Sequence, residues 1–318
     1  MRIVTVVGAT GRQGGAVVRS LVETGKYKIR AVTRDATSAK AQAIKRLSEN
    51  IEMVTCDINQ SDDVKRAFKD SWAIYSLTDY WAQVDRPEME IHQGKLMADI
   101  AASLQIPYYI FSTVEDVNKL TQIRDYIKEK YPNLKTIYVE PACYMQNWQG
   151  FSKPQKLDDG TILFASPLDQ KATLHLVDID DTGAIVREIL NDPEKYVNQD
   201  ICICAEEIPF EDIPKIFTKV TGIPAIGKTL TENEYRAATQ SMPKSAQDDL
   251  FNTFKWFEQS GYYGKDKDWK NGQKLTRLNT FEQWLERRII IFRIVYSNFI
   301  QIKTYSSSSK AIRILIFR

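Results

Sequence analysis

Gly8, Gly11 and Gly14 stand at three-residue intervals in the run Val4-Thr5-Val6-Val7-Gly8-Ala9-Thr10-Gly11-Arg12-Gln13-Gly14-Gly15, a spacing suited to holding phosphate. The first glycine permits a tight turn, the second lets the backbone approach a pyrophosphate, and the third lets a helix pack closely on the preceding strand. The amides of the helix's first turn then face the anion, which the helix dipole favours. A glycine triplet alone is a weak signal. Here it lies between the apolar run Val4 to Val7 and the segment Ala16-Val17-Val18-Arg19-Ser20-Leu21-Val22, whose apolar residues share one helical face. The stretch therefore reads as a strand, turn and helix that cradle a dinucleotide.

Which dinucleotide depends on the residue that closes the second strand. An acidic residue about twenty positions beyond the glycines holds the ribose hydroxyl of NAD, whereas an arginine accepts the extra phosphate of NADP. Arg34 occupies that place, which favours NADP(H); the adjacent Asp35 keeps NAD(H) open as the alternative. Ser112, with Tyr126 and Lys130 spaced by four, supplies the residue types of a reductase's proton relay. Position argues against the pair. Lys130 falls just before the sixth strand, so Tyr126 and Lys130 belong at the sheet edge opposite the cofactor, and no catalytic residue is assigned.

Such a site needs an alternating frame, and the chain supplies one. Apolar runs at 28–33, 51–55, 72–77, 108–111 and 134–139 read as strands, separated by helical patterns at 37–48, 61–69, 87–104 and up to about Tyr131. This is a Rossmann-type α/β fold, a doubly wound parallel sheet with ligands at the carboxyl ends of its strands. Residues 1–150 form the dinucleotide domain. Residues 151–288, with shorter strands at 161–164, 173–177 and 200–204 and a helix at 179–190, form a smaller α+β lobe for a substrate or partner, into which the sheet can extend. Residues 289–318 are a tail of β-prone apolar runs broken by arginine.

At 318 residues and 43% apolar composition, the chain can bury a full domain and a second lobe. A net charge of +2, with no recognition-helix or basic-arm signature, argues against direct nucleic-acid binding. No apolar run is long enough to span a bilayer. Cys56, Cys143, Cys202 and Cys204 are scattered and read as buried free thiols rather than a metal site.

The motifs Gly8-Ala9-Thr10-Gly11-Arg12-Gln13-Gly14, Val32-Thr33-Arg34, Thr78-Asp79-Tyr80-Trp81, Gln93-Gly94-Lys95 and Pro141-Ala142-Cys143-Tyr144-Met145-Gln146-Asn147 together resemble the NmrA-like family. The resemblance extends to Asp192-Pro193-Glu194-Lys195-Tyr196-Val197 and Thr280-Phe281-Glu282-Gln283-Trp284-Leu285, covering about residues 1–288. It implies an atypical short-chain dehydrogenase that binds NADP(H) and acts as a redox sensor or transcriptional co-regulator through a protein partner. A homodimer is a further possible assembly, and a cytoplasmic location extending to the nucleus is implied. The alternative it leaves is a reductase of a small carbonyl, quinone or aromatic compound, with Tyr80, Trp81, Tyr144 and Trp148 around the substrate.

Carried over by residue, the resemblance places the pyrophosphate on Gly8 to Gln13, the adenosine phosphate on Arg34 and the turn to Ser38, and the adenine beside Asp57 and Ile58. Thr78, Asp79, Tyr80, Tyr144, Met145, Gln146 and Asn147 fall on the nicotinamide side. His92 stands where redox-sensing relatives carry a lysine. Relatives also have a longer segment between the fifth and sixth strands, with a lysine at the nicotinamide edge; Lys119 to Arg124 resembles a join across its absence.

Overall fold

The computed structural model describes residues 1–82, 85–114, 120–150, 152–265 and 267–296. Its first half alternates strictly: β1 (Arg2–Val6), α1 (Arg12–Thr24), β2 (Tyr27–Thr33), α2 (Ala39–Lys45), β3 (Ile51–Thr55), α3 (Ser61–Phe68), β4 (Ala73–Ser76), α4 (Pro87–Ser103), β5 (Tyr108–Ser112), α5 (Leu120–Lys130) and β6 (Thr136–Pro141). The second half holds β7 (Cys143–Tyr144), β8 (Gln155–Lys156), β9 (Ile162–Ser166), β10 (Thr173–Val177), α6 (Ile179–Asn191), β11 (Asp200–Ile203), β12 (Glu206–Pro209), α7 (Asp212–Thr221), β13 (Ala225–Thr229), α8 (Glu232–Ala238), α9 (Lys244–Ser260) and α10 (Phe281–Tyr296).

The central sheet has seven strands in the order β3-β2-β1-β4-β5-β6-β11, and every pairing in it is parallel. The reversal of strand order between β1 and β4 is the switch point at which doubly wound folds bind ligands. β1 shows why the sheet needs cover on both faces. Val4 and Val6 join the core shared with Val17, Leu21 and Ile185, against α1 and α6. Thr5 faces the opposite layer, where its hydroxyl meets Ser71 at 2.6 Å. That second layer packs Val64, Phe68, Met97, Ile123 and Ile127 of α3, α4 and α5 against Val32, Ile74 and Phe111.

β11, from the second half of the chain, pairs with β6 and completes the sheet. The remaining strands form two three-stranded sheets, β12-β10-β7 and β13-β9-β8, around a separate core of Phe164, Leu176, Phe210, Phe217, Phe281 and Trp284. A buried ion cluster fastens the two parts. Glu140 on β6 is fully buried; its carboxylate pairs with Arg124 of α5 at 3.1 Å and with Lys267, beyond α9, at 2.5 Å.

The tail departs from its sequence pattern. Residues 289–296, read as a β-prone apolar run, continue α10 as helix. A helix already nucleated at Phe281 extends at the cost of one residue per hydrogen bond, which outweighs the weak strand preference of isoleucine and valine. The second run, 312–318, lies outside the described residues. Among the described residues no helix is long and apolar enough to cross a membrane, and no group of His, Cys, Asp and Glu could hold a metal ion.

Candidate functional site

Gly8 follows β1 with a φ of +66°, the left-handed conformation that turns the chain from strand into helix and that side chains disfavour. Gly14, on the first turn of α1, passes so close to that turn that a Cβ would stand 2.4 Å from the Gly8 carbonyl oxygen and 2.8 Å from that of Val7. Gly11 caps α1 without a side-chain hydrogen bond, and the first turn carries no acidic residue. The leading amides and the helix dipole therefore face outward with no built-in anion to neutralise them. This is a cradle that fits a pyrophosphate.

The turn opens into a cavity of about 1480 Å³ along the carboxyl ends of the strands. Gly8, Thr10, Gly11, Arg12, Gln13 and Gly14 line it, followed by Arg34, Ser38, Asp57, Ile58, Thr78, Asp79 and Tyr80, with Tyr144 and Asn147 on the far side. Ala9, Met145, Gln146 and His92 do not line it. Ala9 and Met145 are fully buried, and Met145 packs in the core of the second lobe. Gln146 is turned inward, where its amide nitrogen donates to Asp178 at 2.6 Å. His92 is exposed on the outside of α4.

The resemblance puts Asp79 on the nicotinamide side, yet its carboxylate lies 3.3 Å from the Arg34 guanidinium. Its backbone N–H donates to Gln93 Oε1 at 3.1 Å. Thr78 donates to the buried Glu90 carboxylate at 2.6 Å, and Tyr80 donates to Asp249 of α9 at 2.6 Å. Burial, with Asp249 and Glu90 adding negative charge nearby, holds the Tyr80 phenol well above its ordinary range. Glu90, Gln93 and Asp249 were missed in the sequence. Gln93 belongs to the Gln93-Gly94-Lys95 motif, which by itself points to no hydrogen-bonding role; Asp249 carries no local signal, because α9 meets the groove only through the tertiary fold.

Ser112, at the end of β5, accepts a hydrogen bond from the Gln13 amide at 2.6 Å, and Tyr144 donates to the other end of that amide at 3.4 Å. The glycine loop is thus tied to the hydroxyls of Ser112 and Tyr144. Tyr126 and Lys130 lie elsewhere. They cluster with Asp99 on the outer surface of α4 and α5, with Tyr126 donating to Asp99 at 2.7 Å and Lys130 to the Tyr126 oxygen at 2.5 Å. These contacts push the Lys130 ammonium above its usual range, which strengthens its hold on its proton. The proposed join includes Lys119, which lies outside the described residues.

Beyond Tyr144 the cavity continues between the sheet and the second lobe. Trp148, Phe164, Phe210, Phe254, Trp256 and Tyr262 form its walls there, with Trp148 and Phe164 set edge to face at 6.3 Å. The side chain of Trp81, assigned to the same wall, is outside those described. Cys143 borders this chamber, and burial pushes its thiol up to about 12, so it stays protonated and unreactive at neutral pH.

The profile of the NmrA-like family matches residues 1–285. An NmrA-like family domain-containing protein of Dictyostelium discoideum is 26% identical over 303 residues, covering 89% of this chain and 97% of its own length. The NmrA-like family domain-containing oxidoreductase malD of Malbranchea aurantiaca is 30% identical over 338 residues, covering 90% and 96%. Among solved structures, NmrA, a negative transcriptional regulator in complex with NADP, aligns with a TM-score of 0.79 at 17% identity over 93% of this chain and 98% of its own. The same regulator has been crystallised with NAD, with a TM-score of 0.79 at 17% identity over 92% and 97%.

Proposed function

The chain belongs to the NmrA-like family, and from that premise we propose that it binds NADP(H) in preference to NAD(H) and reduces a small aromatic or quinoid acceptor held in the adjoining chamber. One observation carries the reading: a single cavity runs from the glycine turn, past Arg34 and Thr78, into a chamber walled by Trp148, Phe164, Phe254 and Trp256. A dinucleotide laid along the turn would present its nicotinamide where that chamber begins, and the aromatic walls offer ring faces on which a flat aromatic ligand can stack. The cofactor supplies a hydride; the chain's own part is to orient it, exclude water and shape the acceptor site.

The proton side of the reaction is weak. The Tyr80 and Tyr144 phenols are held above their ordinary range by burial, so neither gives up a proton easily. An acceptor that tolerates the hydride without concerted protonation, such as a quinone, fits this environment better than a simple ketone. Steady oxidation of NADPH by at least one member of a quinone and aromatic-aldehyde panel is expected, with quinones faster than aldehydes. Absorbance loss no faster than in the enzyme-free control across the whole panel would sink the reductase reading.

A second reading rests on the link from groove to lobe. Tyr80, beside the nucleotide groove, is hydrogen-bonded to Asp249 on α9. A cofactor that moved Tyr80 would shift α9 and thereby a partner surface or self-association, the behaviour of a redox-sensing co-regulator. Such coupling requires the dinucleotide to bind the two arrangements with different affinity. In that case NADPH changes partner binding or oligomeric state while no acceptor is reduced.

A further inference from the structure

We infer that Asp79 sets how strongly the groove prefers the phosphorylated dinucleotide, by competing with its 2′-phosphate for Arg34. The inference rests on the reading that the groove takes NADP(H). Arg34 and Asp79 both line the cavity, and the guanidinium Nη1 stands 3.3 Å from the Asp79 carboxylate. A phosphate is gripped best when the arginine offers two parallel N–H groups, so a carboxylate already on the guanidinium must yield for that grip to form.

Asp79 is poorly placed to yield. Its own N–H is bound to Gln93, and its neighbours on either side are bound to Glu90 and Asp249. Three anchors on α4 and α9 hold the backbone that carries this carboxylate. An incoming phosphate therefore meets a restrained negative charge, and like charges brought together oppose binding. NAD(H) has only a hydroxyl at that place. Its proton can be donated to a carboxylate, as in cradles that select NAD. Asp79 thus weakens the phosphate's hold on Arg34 and supports the hydroxyl, narrowing the preference that Arg34 creates.

The test is calorimetric titration of NADPH and NADH into the full chain, its Asp79→Asn variant, Arg34→Ala and the double variant. Asparagine keeps the size and removes the charge. Asp79→Asn is expected to tighten NADPH about three- to tenfold, the range set by releasing an exposed ion pair and removing a like-charge contact, and to leave NADH equal or weaker. The gain should grow as salt is lowered and vanish in the Arg34→Ala background. Unchanged or weaker NADPH binding, an equal change for both dinucleotides, or a gain that persists without Arg34 would each overturn the inference while leaving cofactor binding intact. If neither dinucleotide binds any of the four proteins, the cofactor reading falls and takes the inference with it.

Discussion

Gly14→Ala is expected to weaken NADPH binding by more than about tenfold and to lower the melting temperature as well. The added methyl would stand 2.4 Å from the Gly8 carbonyl oxygen and 2.8 Å from that of Val7, both backbone atoms that no side-chain rotation can move away. Either α1 retreats from β1 or the turn opens. Overpacking of this kind costs about 1–3 kcal/mol, and each 1.4 kcal/mol that falls on the bound geometry is a factor of about ten in affinity. The stability loss comes from the same clash, because α1 packs Val17, Val18 and Leu21 into the sheet's core. Calorimetric titration and thermal melting of the same preparation read both effects. Full NADPH affinity in a folded Gly14→Ala protein would show that the dinucleotide does not depend on this turn.

Glu140→Ala is expected to be strongly destabilising although it lies away from the groove. Glu140 is fully buried, and its removal leaves the Arg124 and Lys267 side chains, only 20% and 19% exposed, without their shared counter-ion. Deleting one partner of a buried ion pair costs about 3–5 kcal/mol, because the remaining charge stays desolvated. For a chain of this size that corresponds to a fall of roughly 5–7 °C in melting temperature. Arg124 keeps Asp200 as a second partner, which moderates the loss on that side. Urea unfolding monitored by tryptophan fluorescence would check it; a midpoint within error of the wild type would mean that the cluster contributes nothing net.

The sheet was legible in the sequence because its strands are buried on both faces and so read as continuous apolar runs, as at Val4 to Val7 and Tyr108 to Phe111. The glycine turn was legible for a related reason: its backbone conformation and its close approach each demand a residue without a side chain. What the sequence concealed are contacts made by tertiary placement. The segment Asp200–Ile203 has a strand pattern, but nothing local says that it pairs with β6. Asp79 has no sequence neighbour that would bring it to Arg34; the two meet because β2 and β4 flank β1 and end on the same side. Resemblance placed Met145 and Gln146 beside the nicotinamide, whereas the bend after β6 turns both side chains into the protein. The aromatic chamber depends on α9, about a hundred residues beyond β6, and no periodicity in α9 marks which face it offers to the groove.

The account depends most on the groove holding NADP(H) by its extra phosphate. Isothermal titration of NADPH and NADH into the full chain at fixed, low salt measures this directly, with Arg34→Ala titrated alongside. NADPH is expected to bind more tightly than NADH, and Arg34→Ala to remove that difference by weakening NADPH alone. Equal affinities in the unaltered chain, or no heat from either dinucleotide up to about 1 mM, a threshold that corresponds to roughly 4 kcal/mol of binding free energy, would contradict it.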